Sequence, residues 1–262
     1  MKGIILAGGT GSRLWPLTKT ISKQLLPVYD KPMIYYPLTT LILAGIKEVL
    51  IITTPHDQES FRNLLKDGND FGINISYKAQ AKPNGLAEAL IIGEDFLAGD
   101  SCLLILGDNI FHGVGLGRNL EKKLEVTGSH IFVYEVSDPS QYGVLNIGES
   151  SLPISVIEKP INSISNLAIT GLYFFDSRCS SFAKSIEPSS RGELEITSLI
   201  TKYLENGELT YTELPRGTAW LDTGTFKSLH DASTFVRLIE ERQGLKVGDP
   251  YEAAKLQGLI SL

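Results

Sequence analysis

Apolar positions in the first half of the chain fall into short unbroken runs, separated by segments whose apolar residues recur three and four positions apart. Residues 3–7, 48–54, 73–79 and 102–106 are too brief for helices of their own and read as buried strands. Between them, residues 37–44 with the preceding Met-Ile-Tyr-Tyr read as a helix. So does the segment after Asp57, whose Phe61, Leu64 and Leu65 fall on one face, and so do residues 86–96. The alternation predicts an α/β fold, a mostly parallel central sheet with helices on both faces. Beyond Gly128 the texture changes to strands at 131–136, 143–147, 154–158 and 169–175, so a β-rich region is expected there. Helices return at 196–205 and 226–243, the latter striped by Phe226, Leu229, Val236 and Ile239, with a last helix from about Tyr251. With no repeat or flexible linker, the expectation is a single domain over 1–262. Its parts would be about 1–128, about 129–225 and 226–262.

Ligands of parallel sheets bind beyond the carboxyl ends of the strands. Two segments stand there. One is the loop of Gly8, Gly9, Thr10 and Gly11, and the other is Gly107-Asp108-Asn109. Glycine lets backbone N–H groups approach an anion, so the first loop suits phosphate. It is not a dinucleotide fingerprint, because Leu14 stands where the third glycine is required, and no Gly-Lys-Ser/Thr triplet makes it a Walker loop. The glycines lead instead to Arg13, a permanently charged fork, and then to Lys23.

Composition narrows the field. The 262 residues are 42% hydrophobic and 21% charged, ordinary for a globular protein. A net charge of -6 argues against a broad nucleic-acid or anionic-membrane surface, so any phosphate must be met by a local cluster. Two cysteines in apolar contexts, Cys102 and Cys179, suit a reducing compartment. No apolar run is long enough to span a bilayer, and no ordered leader pattern opens the chain, so a cytoplasmic enzyme is expected.

Three groups of charged residues could carry chemistry, each with a plainer alternative. Arg13 and Lys23 bind phosphate or are solvated surface charges. Asp108 and Asp222 end apolar segments, where a buried carboxylate must be paired or metal-bound; together they would suit Mg²⁺ beside a polyphosphate, and separately they would be cap or turn residues. Glu158-Lys159-Pro160 offers a hydroxyl acceptor and a phosphate partner, or a surface pair before a turn. The four histidines show no metal-ligand spacing, and there is no nucleophile elbow.

In order along the chain, GIILAGGTGSRLWPLT from Gly3, KQLLPVYDKPMIYYPL from Lys23, GDNIF from Gly107, EKP from Glu158, TGLYFFD from Thr170, RGELEIT from Arg191 and AWLDTGT from Ala219 resemble the sugar-1-phosphate nucleotidyltransferases, and within them the thymidylyl type. The resemblance covers almost the whole chain. It implies a Rossmann-like nucleotidyltransferase fold, Mg²⁺ as cofactor, and a homo-oligomer. It also implies transfer of a thymidylyl group from dTTP to α-D-glucose 1-phosphate with release of pyrophosphate. On that basis Arg13 and Lys23 would meet the triphosphate, Asp108 and Asp222 would hold Mg²⁺, and Lys159 would bind the sugar's phosphate. Leu6, Gly8, Gly9, Thr10, Gly11, Gln24, Gln80, Gly85 and Asp108 would contact the nucleotide; Gly143, Glu158, Thr170 and Trp220 would line the sugar. UTP or GTP as donor, the latter suggested by Trp15 in Leu-Trp-Pro, and a non-catalytic sensor of the same fold stand as alternatives.

Overall fold

The computed structural model describes residues 1–261. The chain opens with β1 (Lys2–Ala7), and a small hairpin, β2 (Pro27–Val28) and β3 (Lys31–Pro32), leads into α1 (Tyr35–Leu43). Next come β4 (Glu48–Thr53), α2 (Gln58–Leu65), β5 (Asn74–Ala79), α3 (Glu88–Ile92), α4 (Glu94–Leu97) and β6 (Cys102–Leu106). After β7 (Asn109–His112) and α5 (Leu116–Glu121) the chain enters β8 (Ser129–Glu135), β9 (Gly143–Ile147), β10 (Pro153–Glu158) and β11 (Leu167–Phe175). It closes with α6 (Cys179–Lys184), α7 (Ile196–Glu205), β12 (Leu209–Glu213), β13 (Ala219–Asp222), α8 (Phe226–Gln243) and α9 (Pro250–Leu256).

The α/β alternation matches the pattern of the sequence, with local departures. The helix expected over 86–96 is two short helices meeting at Gly93. Asp57 does stand at the start of α2, but its carboxylate accepts the Thr54 hydroxyl at 2.6 Å rather than a helix N–H. Beyond the strands expected of the pattern, the chain also forms β7, β12 and β13.

Two compact units make up the chain. One comprises Lys2–Pro83, Ile105–Lys122 and the chain from Gly217. Here β1, β4 and β5 lie parallel, with Gly3 beside Val49 and Glu48 beside Asn74. Ile4, Ile5, Val49, Leu50, Ile51 and Ile52 are fully buried, each worth roughly 1.5–3 kcal/mol. Helix α1 comes so close to β1 that a Cβ on Gly3 would lie 2.8 Å from Leu41 Cδ1. The Gly107 N–H donates to Leu6 O at 2.9 Å and so brings the end of β6 to the end of β1. Helix α8 begins with a reciprocal cap between Thr225 and Ser228, and α9 begins with Asp249 accepting the N–H groups of Tyr251 and Glu252. The turn between them is tied down by charge. Glu240 accepts Lys31 Nζ at 2.8 Å, Lys246 Nζ at 2.9 Å and the Val247 N–H at 2.9 Å, while Asp30 receives both lysines.

The other unit comprises Asn84–Leu104 and Lys123–Arg216, with Met1. Antiparallel pairs join β8 to β11 and β9 to both β10 and β11, and β12 runs parallel to β8. Phe132, Phe174, Phe175, Leu199 and Tyr203 fill its core, with Phe175 and Tyr203 stacked at 5.7 Å. His130 sits in this core, 1% exposed, its ring nitrogens 2.8 Å from Thr210 Oγ1 and 3.0 Å from Thr212 Oγ1. Among the described residues no helix is long and apolar enough to cross a membrane.

The buried charges and the buried histidine make stability testable in two ways. Removing one member of a buried, hydrogen-bonded ion network strands its partners, so Glu240→Ala should cost about 3–5 kcal/mol in denaturant unfolding; a loss below about 1 kcal/mol would mean the network is not holding the α8–α9 turn. Burial, helped by the nearby charge of Lys123, pushes His130 from 6.5 down to about 4. Between those values the unfolded chain binds a proton that the folded one does not, so stability falls as pH drops from 6.5 towards 4, by up to about 3 kcal/mol. A His130→Gln variant should lose that slope between pH 6.5 and 5 in thermal melts; an unchanged slope would assign it to other groups.

Candidate active site

The chain leaves β1 through Gly8, then through exposed Gly9 and Thr10. Gly9 and Gly11 have φ of 90° and 59°, values that favour glycine. The turn is held by the Thr18 hydroxyl, which donates to Gly11 O at 2.7 Å, and by buried Leu14, whose N–H donates to the same oxygen at 2.9 Å. Arg13 lies in this turn, and its guanidinium reaches the segment after β13, where a Cβ on Gly224 would be 2.9 Å from Nη2. Two buried amides flank Gly8. Gln24 Nε2 donates to Gly8 O at 3.5 Å while its Oε1 accepts the Ser22 hydroxyl at 2.7 Å, and Gln80 Oε1 lies 2.9 Å from where a Gly8 Cβ would be.

A strand pair brings the two aspartates to one end of a ladder. In β7–β13 Asp222 stands opposite Asn109, and the Thr223 N–H and hydroxyl both donate to Asp108 O, at 3.2 Å and 2.9 Å. Asp108 and Asp222 therefore end on neighbouring strands at one end of this ladder. Asp108 Oδ2 accepts Lys23 Nζ, and Oδ1 accepts Asn109 Nδ2 at 2.9 Å. Burial raises the Asp108 pKa, but the Lys23 charge and the hydrogen bonds from Lys23 and Asn109 outweigh it and hold the carboxyl below its ordinary value. It stays an anion. Among the described residues no group of three or more His, Cys, Asp or Glu converges as a metal cage. Two carboxylates beside a phosphate-type loop instead fit Mg²⁺, which takes one or two carboxylates and completes its shell with phosphate oxygens and water.

A second cluster is built within the other unit, around a cavity of about 730 Å³. Glu158 Oε1 lies 3.1 Å from Arg191 Nη2 and 3.3 Å from Lys159 Nζ, and Oε2 accepts the Thr197 hydroxyl at 3.1 Å. Arg191 is anchored in turn by Glu195 at 2.8 Å. Lys159 adopts φ 44°, an uncommon value for a side-chain-bearing residue, with its N–H fixed on Tyr142 O at 3.0 Å. Gly143 closes the cluster, since a Cβ there would lie 2.6 Å from Thr197 Cγ2 and 3.6 Å from Glu158 Oε2.

A family model described as nucleotidyl transferase matches residues 2–238. The chain belongs to the nucleotidyl transferase family. A glucose-1-phosphate thymidylyltransferase of Mycolicibacterium smegmatis is 56% identical over 260 residues, covering 99% of this chain and 90% of the relative. The enzyme of the same name from Neisseria meningitidis is 52% identical over 262 residues, covering 100% and 91%. A solved Bacillus anthracis structure in complex with a sucrose superposes with a TM-score of 0.85 at 40% identity, covering 96% of this chain and 99% of that one. The α/β fold class expected of the sequence is that of its nucleotidyltransferase neighbours.

In this nucleotidyl transferase the residues expected to serve the nucleotide are largely together. Leu6, Gly8, Gly9, Thr10, Gly11, Arg13, Lys23, Gln24, Gln80, Asp108 and Asp222 all belong to the unit built on β1. Gly85 belongs to the other unit, packed so that a Cβ would lie 2.3 Å from Leu194 O, with φ 113°. Gly143, Glu158 and Lys159 come together in the second cluster. Thr170 is fully buried with its hydroxyl donated to Phe132 O at 3.0 Å, and it does not line the 730 Å³ cavity. Trp220 is buried, and its indole N–H is donated to Asn109 Oδ1 at 2.6 Å. Sequence reasoning missed Arg191, Thr197 and Asn109 as site residues. Arg191 stands in Arg-Gly-Glu-Leu-Glu-Ile-Thr, a fixed cation among carboxylates, and that was the available signal.

Proposed function

We propose that this chain is a glucose-1-phosphate thymidylyltransferase, joining dTTP and α-D-glucose 1-phosphate into dTDP-glucose and pyrophosphate. The observation that carries the reading is the Lys23–Asp108 ion pair at the ladder end where Asp222 also stands, in the unit that also holds the Gly8–Gly11 turn and Arg13. The name and near-complete coverage of relatives above 50% identity support the choice of substrates.

The chemistry asks little covalent work of the protein. An oxygen of the sugar's phosphate attacks the α-phosphorus of the nucleotide in line, and the bond to the leaving pyrophosphate breaks. Both reactants are anions, so the protein acts by positioning and by neutralising charge. Arg13, Lys23 and the backbone of Gly8, Gly9, Thr10 and Gly11 meet the triphosphate. Asp108 and Asp222 would hold Mg²⁺, which supplies charge neutralisation at the phosphate oxygens. Gln24 and Gln80, buried beside Gly8 and Leu6, offer amides to the pyrimidine edge. Lys159 and Arg191 bind the sugar's phosphate, while Glu158 and the backbone at Gly143 receive its hydroxyls. We place the enzyme in the cytoplasm as a homo-oligomer serving dTDP-sugar synthesis, with no nucleic-acid or membrane partner.

Pyrophosphate release with Mg²⁺ and glucose 1-phosphate, run with dTTP, UTP, GTP, CTP and ATP in parallel, tests the reading. The expected order is dTTP first and UTP next, since one methyl group is worth only about 1–3 kcal/mol to a pocket. Preference for GTP rescued by mannose 1-phosphate would replace the donor assignment, and nucleotide binding without pyrophosphate release would make the chain a sensor. Asp108→Asn and Asp222→Asn should each lower turnover at least about a hundredfold, beyond the 10–100-fold typical of residues that only support a metal ligand. Arg191→Ala should raise KM for glucose 1-phosphate at least about tenfold, as loss of a charge-assisted bond of about 1.5–3 kcal/mol requires, and leave KM for dTTP within about twofold. A matched rise in both KM values would remove Arg191 from the sugar-phosphate contacts.

A further inference from the structure

The β7–β13 ladder does more than bring two carboxylates to one end. Its register pairs Asn109 with Asp222 and Phe111 with Trp220. Cross-strand partners share a face, and so do residues two apart on one strand, which makes Trp220 the diagonal neighbour of Asn109. An indole N–H is a donor only, and a buried one needs an acceptor. Trp220 is 8% exposed and Asn109 4% exposed, and the acceptor is Asn109 Oδ1 at 2.6 Å. That bond fixes the sense of the amide. With its oxygen turned to the indole, its nitrogen faces Asp108 and donates to Oδ1 at 2.9 Å. Turned over, the amide would set its own oxygen against an anionic carboxylate.

We propose that Trp220 is a positioning residue for the Asp108 carboxylate, acting through the Asn109 amide to hold Oδ1 and so to aim Oδ2 at a divalent cation. This role rests on the reading of Asp108 as a metal carboxylate and differs from lining the sugar. Lys23 donates to Oδ2 while Asn109 holds Oδ1, so Oδ2 is the oxygen on the cationic side of the carboxylate. Trp220→Phe keeps the ring and its packing but deletes the donor. The amide then loses the indole bond that sets its sense, and its hold on Oδ1 weakens.

The test reads metal affinity rather than turnover. Mn²⁺ is titrated into the full chain with a non-hydrolysable α,β-methylene dTTP analogue, and free Mn²⁺ is followed by electron paramagnetic resonance. Trp220→Phe should weaken Mn²⁺ binding about tenfold, the lower range for a residue that supports a metal ligand, with KM for glucose 1-phosphate within about twofold of the parent. Asn109→Leu should weaken it to a similar extent, and the double variant should lose little more than either, because both act through one bond. Unchanged Mn²⁺ affinity in both single variants, with a raised KM for glucose 1-phosphate in Trp220→Phe, would overturn the proposal and return Trp220 to the sugar. Asp108→Asn in the same titration separates the two readings. If it leaves Mn²⁺ binding intact, the metal assignment itself fails; if it abolishes binding while the other two variants bind normally, only the role of Trp220 fails.

Discussion

A carboxylate at the end of a buried strand is the constraint around which one unit of this protein is arranged. Asp108 comes just after the all-apolar β6, where an isolated charge would be costly, and each of its side-chain oxygens is met by a donor. One donor comes from Lys23, on the far side of the glycine turn, and the other from its neighbour Asn109, which is itself held by Trp220. Its backbone oxygen accepts two bonds from Thr223. Each of those partners arrives from a different stretch of chain. Satisfying one charge therefore ties together the turn after β1, the end of β6 and the β13 segment.

That arrangement explains why the candidate phosphate-binding groups of this unit gather where they do. A parallel sheet leaves its strand ends open on one side, and β1 and β6 end next to each other through the bond from Gly107 to Leu6. The Gly8 turn continues from one strand and Asp108 from the other. Arg13 folds back towards Gly224, beyond Asp222, which brings positive charge to the same end of the ladder as the carboxylates. Phosphate transfer between anions needs that mixture of fixed cations and metal-ready oxygens.

Glu158 plays the corresponding part in the other unit. Its two oxygens collect Arg191, Lys159 and Thr197, and Glu195 holds Arg191 from behind. The left-handed backbone at Lys159 is kept by its N–H bond to Tyr142 O, so the lysine turns to the same side as Glu158 by the conformation of the chain. The cluster is preorganised. It presents cations whose carboxylate partners already fix their geometry, suited to a small phosphorylated ligand.

By itself the sequence determined the α/β alternation and the loop that is neither a dinucleotide fingerprint nor a Walker loop, and it marked Arg13, Lys23, Asp108, Lys159 and Asp222 as candidates for phosphate chemistry. These are local properties, since strand length, glycine content and charge type are written in consecutive residues. Tertiary structure alone decided the rest. Asn109 looks like a turn residue until β13, more than a hundred positions later, supplies the indole that fixes its amide. Arg191 is one arginine among several until Glu158 and Lys159 fold against it. Thr170 looks like a polar site residue until the β8–β11 pairing buries its hydroxyl on Phe132. In each case the deciding partner is a hydrogen bond across a long sequence separation, which periodicity and local spacing do not encode.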